Sequence, residues 1–235
     1  MGRPGVPRPE RTGQERGGIH WGGRPLPATA RARPLADIRW PTSLWSVTLP
    51  GVTLFYLVQH AEKEPQPGDP GLTDLGRRQA ARTAERLRQL GLRAVFSSPL
   101  RRARQTAGII AAPTGLRVQQ DARIRERMNW DGSQPMEDFL KDWAATVEDR
   151  DLVPARGDSS RAAAERLRAC LTDLTEEPGP IALVTHGGVT VDLLRTLIGD
   201  RAVPDDLMQH SVPSCAITTL DHLSVVDITS VAHLQ

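Results

Sequence analysis

Two histidines and a basic cluster in this chain each directly follow a short apolar run. His60 lies at the end of such a run in YLVQHAEK, His186 ends another in ALVTHGGV, and Arg102 belongs to SSPLRRARQTA. A neutral imidazole is a nucleophile or a metal ligand, and a guanidinium binds phosphate oxygens in pairs. Each residue taken alone also fits a structural role. The arginine lies in the first turn of a predicted helix, which favours an anion site there.

The apolar runs are predicted strands that position these residues. Val52–Val58 and Ile181–Thr185 are short and rich in β-branched residues, which predicts buried strands, and Ala94–Ser97 predicts another. Helical patterns lie between them, such as the stripe that begins at Thr73 and ends near Leu90. This alternation predicts an α/β fold, a three-layer α/β/α sandwich around a mostly parallel sheet. Ligands bind beyond the carboxyl ends of such strands, where the three segments lie.

The three motifs, in this order, resemble the histidine phosphatase superfamily, which includes cofactor-dependent phosphoglycerate mutases and many small phosphatases. The resemblance runs from about Val52 to the C-terminus, and it includes the segments GLTDLGRRQA, RERMNWDG and AITTLD. It implies a phosphoglycerate mutase-like domain over residues 51–235 and phosphoryl transfer that needs no metal and no cofactor.

The resemblance also implies roles for individual residues. His60 matches the nucleophilic histidine, which becomes phosphorylated, and Arg102 matches the arginine that holds phosphate. His186 matches the second histidine, which contacts the phosphoryl oxygens. Glu126 is the best match for the acid that protonates the leaving group. Asp131 is the reserve candidate, because the family's spacing from this glutamate to its W-E-G-like element is longer than in this sequence.

Further substrate contacts are predicted at Lys63, Thr73 and Gly187. Thr73 belongs to the matching segment GLTDLGRRQA, and Lys63 lies close to the nucleophile in sequence. Gly187, with the glycine after it, lets the backbone turn sharply into a helix whose first amides face the strand ends.

Position 59 departs from the family pattern. The family has arginine immediately before the nucleophile, whereas this chain has Gln59. Glutamine still donates a hydrogen bond to phosphate but carries no charge. A charge-assisted hydrogen bond contributes roughly 1.5–3 kcal/mol, so its loss is expected to cost about ten- to a few-hundredfold in transition-state stabilisation. Lys63 is near enough in sequence to compensate in part.

Several interpretations follow. The leading one is a metal-independent phosphomonoesterase that acts through a phosphohistidine on His60, because all four family site residues are present. The alternative is a weak or inactive relative that binds phosphorylated ligands as a regulatory module, which Gln59 favours. A mutase ranks third, since the short connection between Arg102 and Glu126 leaves little room for substrate-enclosing insertions. Zinc held by the histidines and Glu62 would lack a further good protein ligand.

Composition excludes some classes of binding partner. Residues 1–50 hold eight Pro, seven Gly and eight Arg without periodicity, which predicts a disordered extension. Their net charge of +5 leaves about −3 for residues 51–235, which argues against a nucleic-acid partner. No apolar run is long enough to span a membrane, and no secretory signal is evident. We therefore expect a cytoplasmic protein that acts on a small phosphorylated substrate; the oligomeric state is not predicted.

Overall fold

The computed structural model describes residues 53–177 and 179–235, so the extension predicted for residues 1–50 lies outside the described residues. The strands are β1 (Leu54–Gln59), β2 (Ala94–Ser97), β3 (Val118–Gln120), β4 (Ile181–Thr185), β5 (Ile217–Asp221) and β6 (Ser224–Ser230). The helices are α1 (Asp74–Arg88), α2 (Arg101–Ala111), α3 (Met136–Glu148), α4 (Ser160–Asp173), α5 (Gly187–Ile198) and α6 (Asp205–His210). In this part of the chain, no helix combines the length and apolarity needed to cross a bilayer.

The strands form one sheet in the order β3-β2-β4-β1-β5-β6. Strands β3, β2, β4 and β1 pair in parallel, whereas β5 pairs antiparallel with both β1 and β6. Strand β5 is therefore the single reversed strand of the described sheet. This arrangement confirms the predicted, mostly parallel α/β fold.

Alternate side chains of the central strands enter two different cores. Phe55 and Leu57 point to the face covered by α4 and α5, where they join a cluster that includes Leu167. Tyr56 and Val58 point to the opposite face and pack with side chains of α1 and α2. Each fully buried large apolar side chain contributes roughly 1.5–3 kcal/mol, so both helical layers are held firmly on the sheet. The three-layer sandwich predicted from the sequence is confirmed.

The carboxyl ends of β1, β2 and β4 lie side by side at one edge of this sandwich. The amide of His60 donates to the carbonyl oxygen of Thr185 (3.0 Å), which extends the β1–β4 pairing by one residue. The amide of Ser98 donates in the same way to Val184 (3.0 Å). Because α5 begins directly after β4, His186 is the N-cap residue of that helix. The residues that follow the three strands therefore converge.

Candidate active site

His60 is a buried imidazole with one unprotonated ring nitrogen. Its Nδ1 lies 2.8 Å from the carbonyl oxygen of Ala61, an acceptor, so Nδ1 carries the proton and Nε2 keeps its lone pair. Burial, reinforced by the charge of Arg102, lowers the pKa of His60 to about 3. The ring is therefore neutral at neutral pH, which is the form that attacks an electrophile.

Two donors face this lone pair. The Nε of Arg102 donates to His60 Nε2 over 3.1 Å, and the side-chain amide nitrogen of Gln59, Nε2, lies 3.4 Å from the same atom. Arg102 comes from the first turn of α2 and is buried, and its Nη1 finds no acceptor among the described residues. The arginine therefore has donor capacity left for an anion that approaches His60.

His186 lies against the first histidine. The centroids of the two rings are 5.2 Å apart in an edge-to-face arrangement, and Nε2 of His186 lies 2.7 Å from the hydroxyl oxygen of Ser98. Burial, together with the charge of Arg102, lowers the pKa of His186 well below its usual value. Ser98 is a partner that the motif analysis did not assign. Its position directly after β2 was the available signal.

Glu126 is held at the N-terminus of α5. Its carboxylate accepts hydrogen bonds from the amides of Gly188 (3.0 Å), Val189 (2.9 Å) and Arg127 (2.7 Å). The first amides of a helix are a natural position for such an anionic group. A Cβ at Gly188 would lie 2.6 Å from Glu126 Oε1 and would overlap the indole of Trp143, so glycine is required there. The acid predicted from the sequence thus lies against the N-terminus of the helix that follows His186.

A buried ion pair fixes the segment that carries Glu126. Nη1 of Arg127 lies 2.6 Å and 2.9 Å from the two carboxylate oxygens of Asp192 on α5, and the hydroxyl of Ser160 donates to the same carboxylate over 2.6 Å. The Arg127 guanidinium also lies 4.2 Å from the centre of the Trp143 ring, a cation–π contact. Burial raises the pKa of Asp192 to about 6 although Arg127 opposes the shift. Sequence reasoning did not identify this pair.

The other predicted substrate-binding residues have different surroundings. Lys63 is exposed as a residue, but its ammonium group is partly shielded from solvent. This desolvation, together with the charge of Arg102, lowers the pKa of Lys63. The hydroxyl of Thr73 caps α1 by accepting from Gly76 (2.9 Å), and it donates to the carboxylate of Glu62 (3.0 Å). These contacts join Thr73 and Glu62 to each other, and neither side chain bonds to a catalytic histidine.

Gly187 and Asp131 complete the predicted set. A Cβ at Gly187 would overlap the hydroxyl oxygen of Ser211, so this glycine allows close backbone packing. The carboxylate of Asp131 accepts from the amide (2.9 Å) and hydroxyl (2.6 Å) of Ser133 and pairs with Arg156. Asp131 is thus engaged within its own exposed loop, whereas Glu126 accepts hydrogen bonds from the first amides of the helix that follows His186. In the described ranges, no group of three or more His, Cys, Asp or Glu is placed to hold a metal ion.

Comparisons with known proteins agree with this geometry. A family model of the histidine phosphatase superfamily, branch 1, matches residues 55–224. A probable phosphoglycerate mutase from Erwinia tasmaniensis is 32% identical over 185 residues, which cover 71% of this chain and 84% of the relative. A mycobacterial glucosyl-3-phosphoglycerate phosphatase, solved with inorganic phosphate, has a TM-score of 0.62 and 27% identity over 77% of this chain and 99% of that one. A phosphoserine phosphatase variant from Entamoeba histolytica, at 23% identity, shares the fold with a TM-score of 0.62 over 78% of this chain and 100% of that one.

Proposed function

The chain belongs to the histidine phosphatase superfamily, and from that premise we propose that it hydrolyses phosphate monoesters through a phosphohistidine on His60. The observation that carries the proposal is the unprotonated Nε2 of His60, which faces the guanidinium of Arg102 at the ends of the central strands. We further propose that residues 51–235 form the catalytic domain.

The first step transfers the phosphoryl group to the protein. The lone pair of His60 Nε2 forms a bond to phosphorus while the bond from phosphorus to the ester oxygen breaks. The departing oxygen keeps that electron pair and takes a proton from Glu126, so an alcohol leaves. This division replaces one difficult displacement by two easier ones.

The second step returns the free enzyme. Glu126, now deprotonated, takes a proton from water as the water oxygen bonds to phosphorus. The bond from phosphorus to Nε2 breaks, and its electrons return to the His60 ring. Inorganic phosphate leaves, and Glu126 again carries the proton that the next turnover requires.

Positive charge and hydrogen-bond donors must surround the phosphoryl oxygens in both steps. Arg102 supplies the charge, with a buried Nη1 that has no acceptor among the described residues. The amide of Gln59 supplies a neutral donor in place of the family's second arginine. His186 lies beside the nucleophile to contact the same oxygens, and Ser98 orients its ring.

The related proteins suggest substrates. The relative from Erwinia tasmaniensis is named a probable phosphoglycerate mutase, and the mycobacterial structural relative is a glucosyl-3-phosphoglycerate phosphatase. We favour hydrolysis over a mutase reaction because the connection between Arg102 and Glu126 is short, which leaves little room to enclose a substrate during two transfers. Small phosphorylated acids and their sugar conjugates are the first compounds to assay.

One set of assays tests the proposal. The purified protein should release inorganic phosphate from an aryl phosphate and from at least one small phosphorylated acid, and His60→Asn should not. Interconversion of phosphoglycerates without phosphate release would favour the mutase reaction instead. Saturable binding of phosphate without any turnover would favour the alternative, a regulatory relative that binds phosphorylated ligands.

A further inference from the structure

The orientation of the Gln59 amide follows from its neighbour. Because the N–H at Nδ1 of His60 donates a hydrogen bond to the carbonyl oxygen of Ala61, Nε2 of that ring is an acceptor. The group 3.4 Å from it must therefore be the NH₂ of Gln59, which leaves the amide oxygen, Oε1, on the other side of the amide. Position 59 thus adds both a donor and an acceptor to the site, whereas arginine would add donors only.

The acceptor side of this amide has no partner. Oε1 of Gln59 is buried and accepts no hydrogen bond from the described residues. A buried acceptor without a donor is unfavourable, so a ligand that brings a hydrogen to this oxygen gains more than one that does not.

A phosphoryl group on His60 must come into contact with this amide. Phosphorus bonds to Nε2, the atom that the Gln59 amide nitrogen approaches to 3.4 Å and that Arg102 Nε approaches to 3.1 Å. The incoming group takes the place of these two contacts, and its oxygens then meet the donor and the acceptor of Gln59 as well as the guanidinium.

Little positive charge surrounds that place. Of the hydrogen-bond partners of His60 in the described part of the chain, only Arg102 is charged. Lys63 is exposed, although its charge also lowers the pKa of His60, and Arg166 acts on His186 in the same direction. The carboxylates of Asp69 and Glu126 oppose this positive charge by acting on the Arg102 guanidinium. A single buried arginine neutralises one negative charge on the phosphoryl group but leaves a second one unbalanced.

The remaining titratable groups around Gln59 are neutral at neutral pH. Burial lowers the pKa of both His60 and His186, so each ring carries no charge. In the segment before β5, the amide of Cys215 donates to the carbonyl oxygen of Gln59 (3.1 Å), and burial raises the pKa of the Cys215 thiol to about 11. None of these groups supplies the charge that arginine would have placed at position 59.

We propose that Gln59 makes this pocket select phosphate groups that carry one proton, so the substrate is bound as the monoester monoanion. The P–OH of that form donates to Oε1 of Gln59, the NH₂ donates to a second oxygen, and Arg102 neutralises the single negative charge. The proton on this oxygen stays in place through both transfer steps and leaves with inorganic phosphate. The inference rests on the proposed function and specifies which form of the substrate it takes.

The direction of the pH dependence follows. A phosphate monoester loses its second proton near pH 6, so the monoanion dominates below about pH 6 and the dianion above it. The dianion offers no hydrogen to Oε1 and brings a second negative charge. Affinity should therefore decline as the pH rises through the second pKa of the ligand.

Calorimetric titration with inorganic phosphate and with sulfate tests this selectivity without relying on turnover. Sulfate has the same shape but keeps two charges and no proton between pH 5 and 8, so its binding reports changes in the protein alone. In the parent protein, phosphate should bind about tenfold or more tightly than sulfate near pH 5.5, the ratio that one hydrogen bond to a charged group produces. That ratio should fall as the pH rises through the second pKa of inorganic phosphate, which is higher than that of a monoester, and it should approach one only well above that pKa.

Two variants assign the effect to the amide. Gln59→Arg provides donors only, and Gln59→Met is of similar size without polar atoms. In Gln59→Met, the phosphate-to-sulfate ratio should fall much less with rising pH than in the parent, because only the effect of the second charge remains. In Gln59→Arg the ratio should not fall, because the added charge favours the dianion, and this variant should bind sulfate more tightly than the parent does. Thermal melts identify any variant that is not folded.

The outcomes are distinct. A parent ratio that does not change with pH would overturn the proton selectivity while leaving phosphoester hydrolysis intact. A ratio that falls with pH as steeply in Gln59→Met as in the parent would show that another group provides the acceptor. If neither anion binds at any pH and neither inhibits turnover of a phosphate ester, the proposed function itself would be contradicted.

Discussion

The Nε of Arg102 donates a hydrogen bond to Nε2 of His60 over 3.1 Å, and this bond uses the lone pair that has to attack phosphorus. The arginine therefore masks the proposed nucleophile. A phosphate that draws the guanidinium onto its own oxygens releases Nε2 at the same moment. One side chain thus links substrate binding to exposure of the nucleophile.

Phosphorylation should occur on His60. Brief incubation with an aryl phosphate should add one acid-labile phosphoryl group to the parent protein, detectable by mass spectrometry, because Nε2 is the free nitrogen of a neutral ring. His60→Ala should remove the label. The exposed His210 provides the matched control, and His210→Ala should label as the parent does. Label that persists in His60→Ala would show that another residue is the nucleophile.

Gln59→Arg should raise kcat/KM on small phosphate esters by roughly tenfold or more, the effect of one charge-assisted contact. It should also tighten inhibition by inorganic phosphate, because the new guanidinium would face the oxygens beside Arg102. Steady-state kinetics at pH 7.5 with phosphate as a competitor measures both. A variant no better than the parent in turnover and in phosphate inhibition would mean that Gln59 alone does not limit phosphate handling.

Glu126→Gln should lower kcat by about 10²–10⁴-fold, the usual contribution of a general acid–base group. The fall should be smallest for aryl phosphates with acidic leaving groups, since these need no proton as they depart. Asp131→Asn is the matched control and should leave kcat near the parent value, because Asp131 is bonded to Ser133 and Arg156 in an exposed loop. The reverse pattern would assign the acid to Asp131.

Acid should destabilise the protein through His60. Its pKa is about 3 in the folded state and about 6.5 when unfolded, so below pH 6.5 only the unfolded chain takes up the proton. The free energy of unfolding should then fall by about 1.4 kcal/mol per pH unit from this group as the pH drops from 6.5 towards 3. Urea unfolding at several pH values should show that the free energy of unfolding depends less steeply on pH in His60→Asn than in the parent. Parallel pH curves would contradict the depressed pKa.

Asp192→Ala should destabilise the fold by about 3–5 kcal/mol, because it leaves the buried Arg127 guanidinium without its partner. An exposed pair provides the comparison. Asp151→Ala removes a bond of 2.6 Å to Arg161 and should change the stability little, because solvent screens this exposed pair. Chemical denaturation of the two variants measures the difference, and equal losses would show that the buried pair has no special role.

The sequence predicted the parts of the site that depend on local pattern. Apolar runs of strand length located His60 and His186, and their places in a parallel sheet follow from the alternation of strands and helices. The Ser98 contact with His186 and the Arg127–Asp192 pair join residues far apart in the chain, so no local pattern reveals them. They depend on how α5 and the segment around Glu126 pack.

One difference concerns the C-terminal third of the fold. The short helix α6 was not predicted, because six residues carry too little periodicity to show an apolar face. The start of α1 at Thr73 was predicted correctly, and the threonine side chain caps the helix by accepting from the amide of Gly76. What the sequence missed is therefore short or non-local.

Strand β1 lies between β4 and β5 in the sheet, although both of those strands come late in the chain. On the ribosome, the apolar residues of β1 emerge long before the partners that cover them. The nucleophile at its end has no neighbouring histidine until β4 has been made. A nascent chain thus cannot bring the two histidines together until most of it has been synthesised, and its first strand depends on late pairing or on chaperones for protection.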